Sequence, residues 1–368
     1  MRHLLHATAS AWRRLLQAVA RGDGDRPCGD SDDRLAVVHG APREVSAIVE
    51  RVTRPVARGV AVRDATGRSH AVARDRAMLR EALLAYLYLA PAFLLLLAFS
   101  LGPFLYVFYA SAQHAPGTPA QRYVGLDNYR YLLDPSQLSG FLPALTNTLT
   151  YVAGVVPAGI VLSLLCALLL QRKLRGWAFF RLTFFLPYVT PALPTAIIWL
   201  WIFNPQFGLL NDLLHLIRLP ALGWTNDPHW AMPSIIIYSL WQSAGFNTII
   251  FLAALTAIPR ELQEAARVDG AAEWRVARYI TLPLLTPTIF FVLVVAVIES
   301  LKVFTQVFAL TGGGPAGATT TVGFFLYQDA FQYFHLDLAS AVAVIIFALT
   351  MAFTAAQSAI ARRWVFYS

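Results

Sequence analysis

Residues 258–283 read IPRELQEAARVDGAAEWRVARYITLP, a polar stretch lying between two long apolar runs. Pro259 can open a helix, because the N–H it lacks would be unpaired in a first turn. Glu261 and Glu264 fall in the first turns, where a carboxylate suits the positive end of the helix dipole. Ala265 and Ala266 are small, so another surface can approach closely. Asp269 leads into Gly270, which ends the helix, since glycine takes a left-handed backbone at low cost. A second helical piece over 271–279 is expected to end before Pro283. A segment that only joined its neighbours would not need two helices with defined ends. The stretch therefore predicts a helix-turn-helix with a ridge of small residues, presented as a working surface.

The flanking composition gives that surface its setting. Hydrophobic residues make up 57% of the 368, charged residues 14%, and the mean hydropathy is +0.55. Soluble domains carry about 25% charged residues. Too little polar surface remains to keep this chain dissolved, so lipid must be the solvent for much of it. A spanning helix needs about 20 mostly apolar residues. Stretches 83–111, 145–170, 178–203, 231–258, 284–310 and 338–361 qualify. Pro91, Pro103, Pro157, Pro187, Pro191, Pro194 and Pro287 interrupt them. A proline in such a helix frees carbonyls that neighbours must satisfy, so these helices are expected to bend and pack on one another. The fold class expected is an all-α membrane protein with six transmembrane helices.

The formal charge of +8 is distributed unevenly. Arg63, Arg68, Arg74, Arg76 and Arg80 precede the first span; Arg172, Lys173, Arg175 and Arg181 follow the second. Arg260, Arg267, Arg275 and Arg278 follow the fourth, and Arg362 and Arg363 the sixth. The alternate loops hold Arg122 and Arg130, then Arg218, then none over 312–335. Basic loops stay in the cytoplasm, so both termini are expected there, with 121–140, 205–229 and 312–335 facing outward. Orientation accounts for the charge without a nucleic-acid partner. Residues 1–80 read as a cytoplasmic Arg-rich extension and 81–368 as the transmembrane domain. Within the extension, 4–20 suits an amphipathic helix with Arg13 and Arg14 on its wet face. Residues 22–34 read as disordered, and 60–72 as a small hairpin around Ala65-Thr66-Gly67. No apolar run after Arg2 is long enough for a secretory signal. Cys28 and Cys166 give neither a disulfide framework nor a metal site, and no repeat is visible.

At Glu264, Ala265, Ala266, Gly270, Ile280, Leu282 and Pro283 the loop resembles the EAA signature of binding-protein-dependent ABC import permeases. A second resemblance is to the maltose and glycerol-3-phosphate uptake type within that family. It rests on Val268-Asp269-Gly270-Ala271, on Tyr123-Val-Gly-Leu-Asp-Asn-Tyr129, and on Leu310-Thr-Gly-Gly-Gly-Pro315 with Thr319–Thr321 and Tyr327. The likeness covers nearly everything from Ala82 onward and leaves out the polar extension. It implies a type I importer fold in which the 258–283 loop is a coupling helix seated on an ATPase subunit. It further implies an ATPase dimer, a second permease chain forming a heterodimer, an extracytoplasmic solute-binding protein, and a bacterial or archaeal inner membrane. Glu264, Ala265, Ala266, Asp269, Gly270, Ile280, Leu282 and Pro283 would then couple to the ATPase. The large inserted outward domain of the maltose permease is missing here.

The chain lacks a phosphate-cradling G-x-x-x-x-G-K-[ST] loop, and its two lysines, Lys173 and Lys302, follow no glycine-rich turn. ATP and Mg are therefore expected on the partner ATPase, with no cofactor, metal or catalytic residue on this chain. Glu299 and Lys302, three apart in the fifth span, share a helix face; they make either a structural salt bridge or part of a water-filled path. A sugar site calls for aromatic faces and hydrogen-bonding groups within the spans, where polar residues otherwise join helices. The candidates are Asn147, Tyr151, Tyr238, Trp241, Gln242, Asn247, Glu299, Lys302 and Gln306. Thr148 and Ser243 lie beside them. The function expected is the permease subunit of an ATP-driven sugar importer. Alternatives are a polyol or glycerol-phosphoester importer permease, or an ion-coupled secondary transporter, whose inverted repeats and broken-helix ion sites are not evident. An intramembrane enzyme would need a paired nucleophile and base or a histidine cluster, and the eight histidines are scattered.

Overall fold

The computed structural model describes residues 69–136, 140–171, 177–363 and 365. The expectations for 4–20, 22–34, Cys28, Arg63, Arg68, Arg172, Lys173 and Arg175 lie outside the described residues. So does most of the 60–72 hairpin, and its last residues are helical instead, opening α1 (Ser69–Leu96). This helix also runs through the boundary expected at residue 80. By internal contacts the chain divides into Met1–Leu89 and Ala90–Ser368.

Helices dominate. After α1, a π-helical turn at Leu97–Leu101 leads into α2 (Gly102–Ser111). A two-residue hairpin pairs β1 (Gln113–His114) with β2 (Arg122–Tyr123), followed by α3 (Asp127–Leu133) and α4 (Phe141–Gln171). Next come α5 (Trp177–Val189), α6 (Ala192–Ile202), α7 (Leu209–Leu216) and α8 (Pro228–Ala257). Then come α9 (Arg260–Val268), α10 (Glu273–Val276), α11 (Thr286–Leu301), α12 (Thr305–Leu310), α13 (Val322–Tyr327) and α14 (Leu336–Ala361).

Among the described residues, four helical runs are long and apolar enough to cross a membrane, Ala82–Ser111, Phe141–Gln171, Pro228–Ala257 and Leu336–Ala361; counting each of two bent pairs as one span brings the number to six. The third expected span is broken by 108° between Val189 and Ala192. Thr190 precedes Pro191, which disfavours helical backbone at the residue before it, and Pro191 is itself extended. The fifth is bent by 64° where Leu284 gives way to Thr286. The run expected over 284–310 is in fact three pieces, because α11 stops at Leu301 and the chain turns through Lys302 before α12.

The core is built along α4 and α8. At Gly245 a Cβ would collide with the Phe184 carbonyl oxygen, so glycine is what lets α8 lie against the backbone of α5. Ser163 donates to the Ala244 carbonyl (3.2 Å), and Thr248 donates to the carbonyls of Ala244 (2.7 Å) and Ser163 (3.3 Å). Such short polar side chains join helices where lipid offers no hydrophobic drive. Leu301 and Val297 of α11 pack on Val156, halfway along α4.

At the end of the bundle away from residues 258–283, Asn128 is buried and its amide donates to the carbonyls of Ser111 (2.9 Å) and Gln113 (2.8 Å). The asparagine of the Tyr123–Tyr129 segment thus fastens the hairpin to α2. The glycine-rich loop is knotted rather than slack. Gly312 and Gly313 take left-handed backbone at φ 56° and 83°, and Thr311 and Thr319 hydroxyls meet at 2.7 Å.

Candidate functional site

Two regions carry the sequence candidates. The first is the 258–283 loop. Pro259 is extended and stands just before α9, which begins at Arg260. Gly270 has φ +80° and open space around it. The second helix starts at Glu273 rather than 271 and does not stop before Pro283. It continues through a π-helical turn, Ala277–Thr281, into Leu282–Leu284. The Leu282 N–H reaches back five residues to the Ala277 carbonyl. This wider ladder carries the helix past Pro283, whose missing N–H would have ended an ordinary one.

No residue of α9 is buried, and Val268 is 87% exposed. Across the Gly270 turn the Arg267 guanidinium grips the Glu273 carboxylate, Nε to Oε1 at 2.8 Å and a second N–H to Oε2 at 3.3 Å. Hydrogen bonding to Glu273 raises the Arg267 pKa above its ordinary value. This fork fixes the angle between the helices more than it stabilises the fold, since exposed ion pairs contribute little. Behind α9 lies a cleft of about 610 Å³ against the ends of α4 and α8, bordered by Gln171, Thr256, Arg260, Glu264 and Trp274. Glu264 thus borders that cleft, Ala265 is exposed, and Asp269 caps the helix. Ile280, within the π turn, and Leu282 and Pro283, just after it, are half-buried.

The second region is the middle of the bundle, where the candidates separate. Tyr151 and Tyr238 are sealed in the core, and neither lines an open path. Tyr151 donates to the Ser239 hydroxyl (2.9 Å), and the Tyr238 hydroxyl meets Thr195 (2.9 Å) and the Ala192 carbonyl (2.9 Å). Their hydroxyls join α4, α6 and α8. Asn147 spends its amide on the glycine-rich loop, donating to the carbonyls of Gly317 and Thr320, both at 3.0 Å. Trp241 is exposed on α8, beside Trp199 at 5.3 Å, while Gln242 and Asn247 are half-exposed. Gln306 lies on α12, separate from the helix that carries Glu299.

Glu299 and Lys302 do not both lie within a span. Lys302 sits at the C-terminal cap of α11, where the chain turns. Its ammonium meets Glu299 Oε1 at 3.1 Å, with side-chain exposures of 51% for Lys302 and 69% for Glu299. Phe291, Val295, Glu299 and Lys302 form one exposed stripe, which is charged at the depth where neighbouring Leu301 reaches the middle of α4.

Two features escaped the sequence reading. Beyond Lys302 the rings of Phe304, Phe308, Phe324 and Tyr327 gather with centroids 5.1–6.5 Å apart. The spacing of 304 and 308 by four, and of 324 and 327 by three, was the available signal. The other is Asp329, in a π-helical turn Gln328–Gln332 that follows α13. It is 5% exposed, and its Oδ2 has no hydrogen-bond partner. Burial pushes its pKa up to about 6, with His335 lowering it and Asp337 raising it. Among the described residues no group of three or more His, Cys, Asp or Glu is placed to hold a metal.

Residues 159–366 match the family described as "Binding-protein-dependent transport system inner membrane component". The trehalose/maltose transport system permease protein of Thermococcus litoralis is 34% identical over 280 residues, 75% of this chain and 92% of the relative. The sn-glycerol-3-phosphate transport system permease protein of Escherichia coli strain 536 is 32% identical over 287 residues, 77% and 95% respectively. Among solved structures, a chain of a bacterial alginate ABC transporter, crystallised with an alginate pentasaccharide-bound periplasmic protein, superposes with a TM-score of 0.68 at 26% identity. The match covers 77% of this chain and 96% of that one.

Proposed function

The chain belongs to the family of binding-protein-dependent transport system inner membrane components, and from that premise we propose that it is the sugar-conducting permease of an ATP-driven importer. It is a multi-pass membrane protein and a permease subunit. The remaining machinery is part of the proposal: an ATPase dimer that hydrolyses ATP, a second and different permease chain, and a solute-binding protein that delivers substrate from outside. Both termini and the 258–283 loop face the cytoplasm, as the clustering of arginines on that side supports.

The observation that carries the reading is α9, a helix with no buried residue, turned back at a left-handed Gly270 and locked to α10 by the Arg267–Glu273 fork. An exposed helix of this kind, joined to α8 through Ile258 and Pro259, suits insertion into a partner's groove. Glu264, Ala265, Ala266, Asp269 and Gly270 form its contact, and Ile280, Leu282 and Pro283 connect it to the bundle. ATP-driven closure moves α9, and the bundle alternates between outward- and inward-open forms. Residues here transmit motion and perform no covalent chemistry.

Trp241, Gln242, Asn247, Glu299, Lys302 and Gln306 are the residues proposed to meet substrate, on surfaces that a second permease would close into a path. An acidic sugar or glycerol phosphoester is the second reading, and the exposed Lys302 ammonium at mid-depth favours it. The test is purification through a tag on this chain, for the wild type and Gly270→Pro. Proline cannot adopt φ +80°, so the variant should insert in the membrane yet lose the ATPase. A wild-type chain that arrives without ATPase or second permease, or a variant that keeps both and transports normally, overturns the coupling assignment.

A further inference from the structure

The helix α7 has an apolar flank that no described residue covers. Its sequence, LLNDLLHL, sorts into distinct sides at about 100° per residue. Leu210 and Leu214 pack on the aromatic core beside Phe203 and Trp224. On one side of them Asn211 is buried and fully engaged. Its amide donates to the carbonyls of Pro205 and Leu222 (both 3.0 Å), and its oxygen accepts from the Leu222 N–H (3.1 Å) and the Trp224 indole (2.8 Å). On the other side Leu209, Leu213, Leu216 and Ile217 are 55–80% exposed. Asp212 and His215 lie on the side away from the core, and Arg218 follows the helix; all three are exposed.

We propose that α7 lies in the headgroup region of the leaflet opposite the 258–283 loop, with the Leu209–Leu213–Leu216 flank against phospholipid acyl chains. Its depth is fixed by the chain itself. α6 ends at Ile202 and α8 begins at Pro228, both spanning segments, and the Asn211 bonds hold α7 rigidly between those ends. The exposed flank follows the exposed apolar residues Ile197, Ile198 and Trp201 of α6, which is the second half of a bent candidate span. Trp201 and Phe207 are exposed at the junction, and aromatic rings concentrate at membrane interfaces. The flank carries no charge, while His215, Arg218 and His229 lie off it, available to lipid phosphates. A helix with a polar upper face and an apolar side suits the plane of the interface. Anchored there, α7 would set the height of the broken third span.

The test uses the assembled transporter with Cys28→Ser and Cys166→Ala, carrying a single fluorophore at Leu213→Cys or, as the reference, at Asp212→Cys. In phosphatidylcholine–phosphatidylglycerol nanodiscs the 213 label should be quenched by a headgroup-proximal lipid nitroxide at least about twice as strongly as the 212 label, as interfacial burial requires. Aqueous iodide should give the reverse order. Equal quenching by iodide at the two sites overturns the proposal. A 213 label shielded from both quenchers, and crosslinking to the second permease or the binding protein, overturns it equally by making the flank a protein interface.

Discussion

Asp329→Asn should stabilise the protein at neutral pH and leave it unchanged in acid. The side chain is 7% exposed, its Oδ2 has no hydrogen-bond partner among the described residues, and burial raises its pKa from 3.8 to about 6. The folded chain therefore holds a proton through a window, from 3.8 to about 6, in which the unfolded chain has released it. Wherever the folded state binds more protons, stability falls as pH rises. The penalty is absent below the window and complete above it. A shift of about two units corresponds to about 3 kcal/mol. Solvent screening reduces this to about 1–2 kcal/mol. The neighbouring groups are His335 Nδ1, 3.9 Å from Asp329 Oδ1, and Asp337, which is itself 3.1 Å from His114 Nδ1. Asparagine keeps the shape and removes the charge. Thermal unfolding of the assembled complex in nanodiscs, followed by intrinsic fluorescence from about pH 3 to pH 8, a range that brackets the window, reads the difference. The variant should match wild type at the acid end and unfold about 2–8 °C higher at pH 8, given about 2–4 °C per kcal/mol for chains of a few hundred residues. A variant less stable than wild type at pH 8, or offset equally at all pH values, would refute the reasoning.

Other expectations follow from single contacts. Gly245→Ala places a methyl group on the Phe184 carbonyl and should cost about 1–3 kcal/mol by overpacking; an unchanged unfolding temperature would mean α5 and α8 separate freely. Trp241→Ala and Asn247→Ala should lower uptake while the complex still assembles, and unaltered uptake kinetics would remove both from the substrate surface. Lys302→Met should weaken uptake of an acidic sugar or glycerol phosphoester by about tenfold or more, the worth of one charge-assisted hydrogen bond, and affect a neutral sugar less. Equal losses for both would assign Lys302 to structure.

Hydropathy made the spans legible because a lipid-level helix must be apolar over its length, whichever way its faces point. That indifference to face is why the site was harder to read. Tyr151 and Tyr238 have the composition of a sugar site, yet each satisfies its hydroxyl inside the bundle. Asn247 and Trp241, of the same residue classes, remain open to the surface. Nothing in residue type distinguishes those outcomes; the rotation of α8 against α4 does. Proline was visible at 191, and the 108° break follows from it. Pro283 was misread because a π turn can absorb a proline, and that turn has no signature in the residues before it. Asp329 carries no signal of burial in its neighbours in sequence, since its burial comes from the packing of α13 and α14 around it.

The geometry also ranks the helices by what they could transmit. α8 runs unbroken from Pro228 to Ala257, and its one internal proline, Pro233, lies near the end far from α9. Between Asn247 and the Pro259 junction it is a rod about 15 Å long, packed against α4 throughout and joined to it through Ser163 and Thr248. A push on α9 therefore reaches the depth of Asn247 and Trp241 without a flexible joint beyond Ile258–Pro259. The third and fifth spans are bent by 108° and 64°, and a bend absorbs displacement by changing its angle. For the alternating access proposed above, rigid transmission along α8 with compliance at those two bends is the division required, with one element to carry the stroke while its neighbours open and close around the path. The Arg267–Glu273 fork belongs to the rigid side, since without it the Gly270 turn would act as another hinge between α9 and α10.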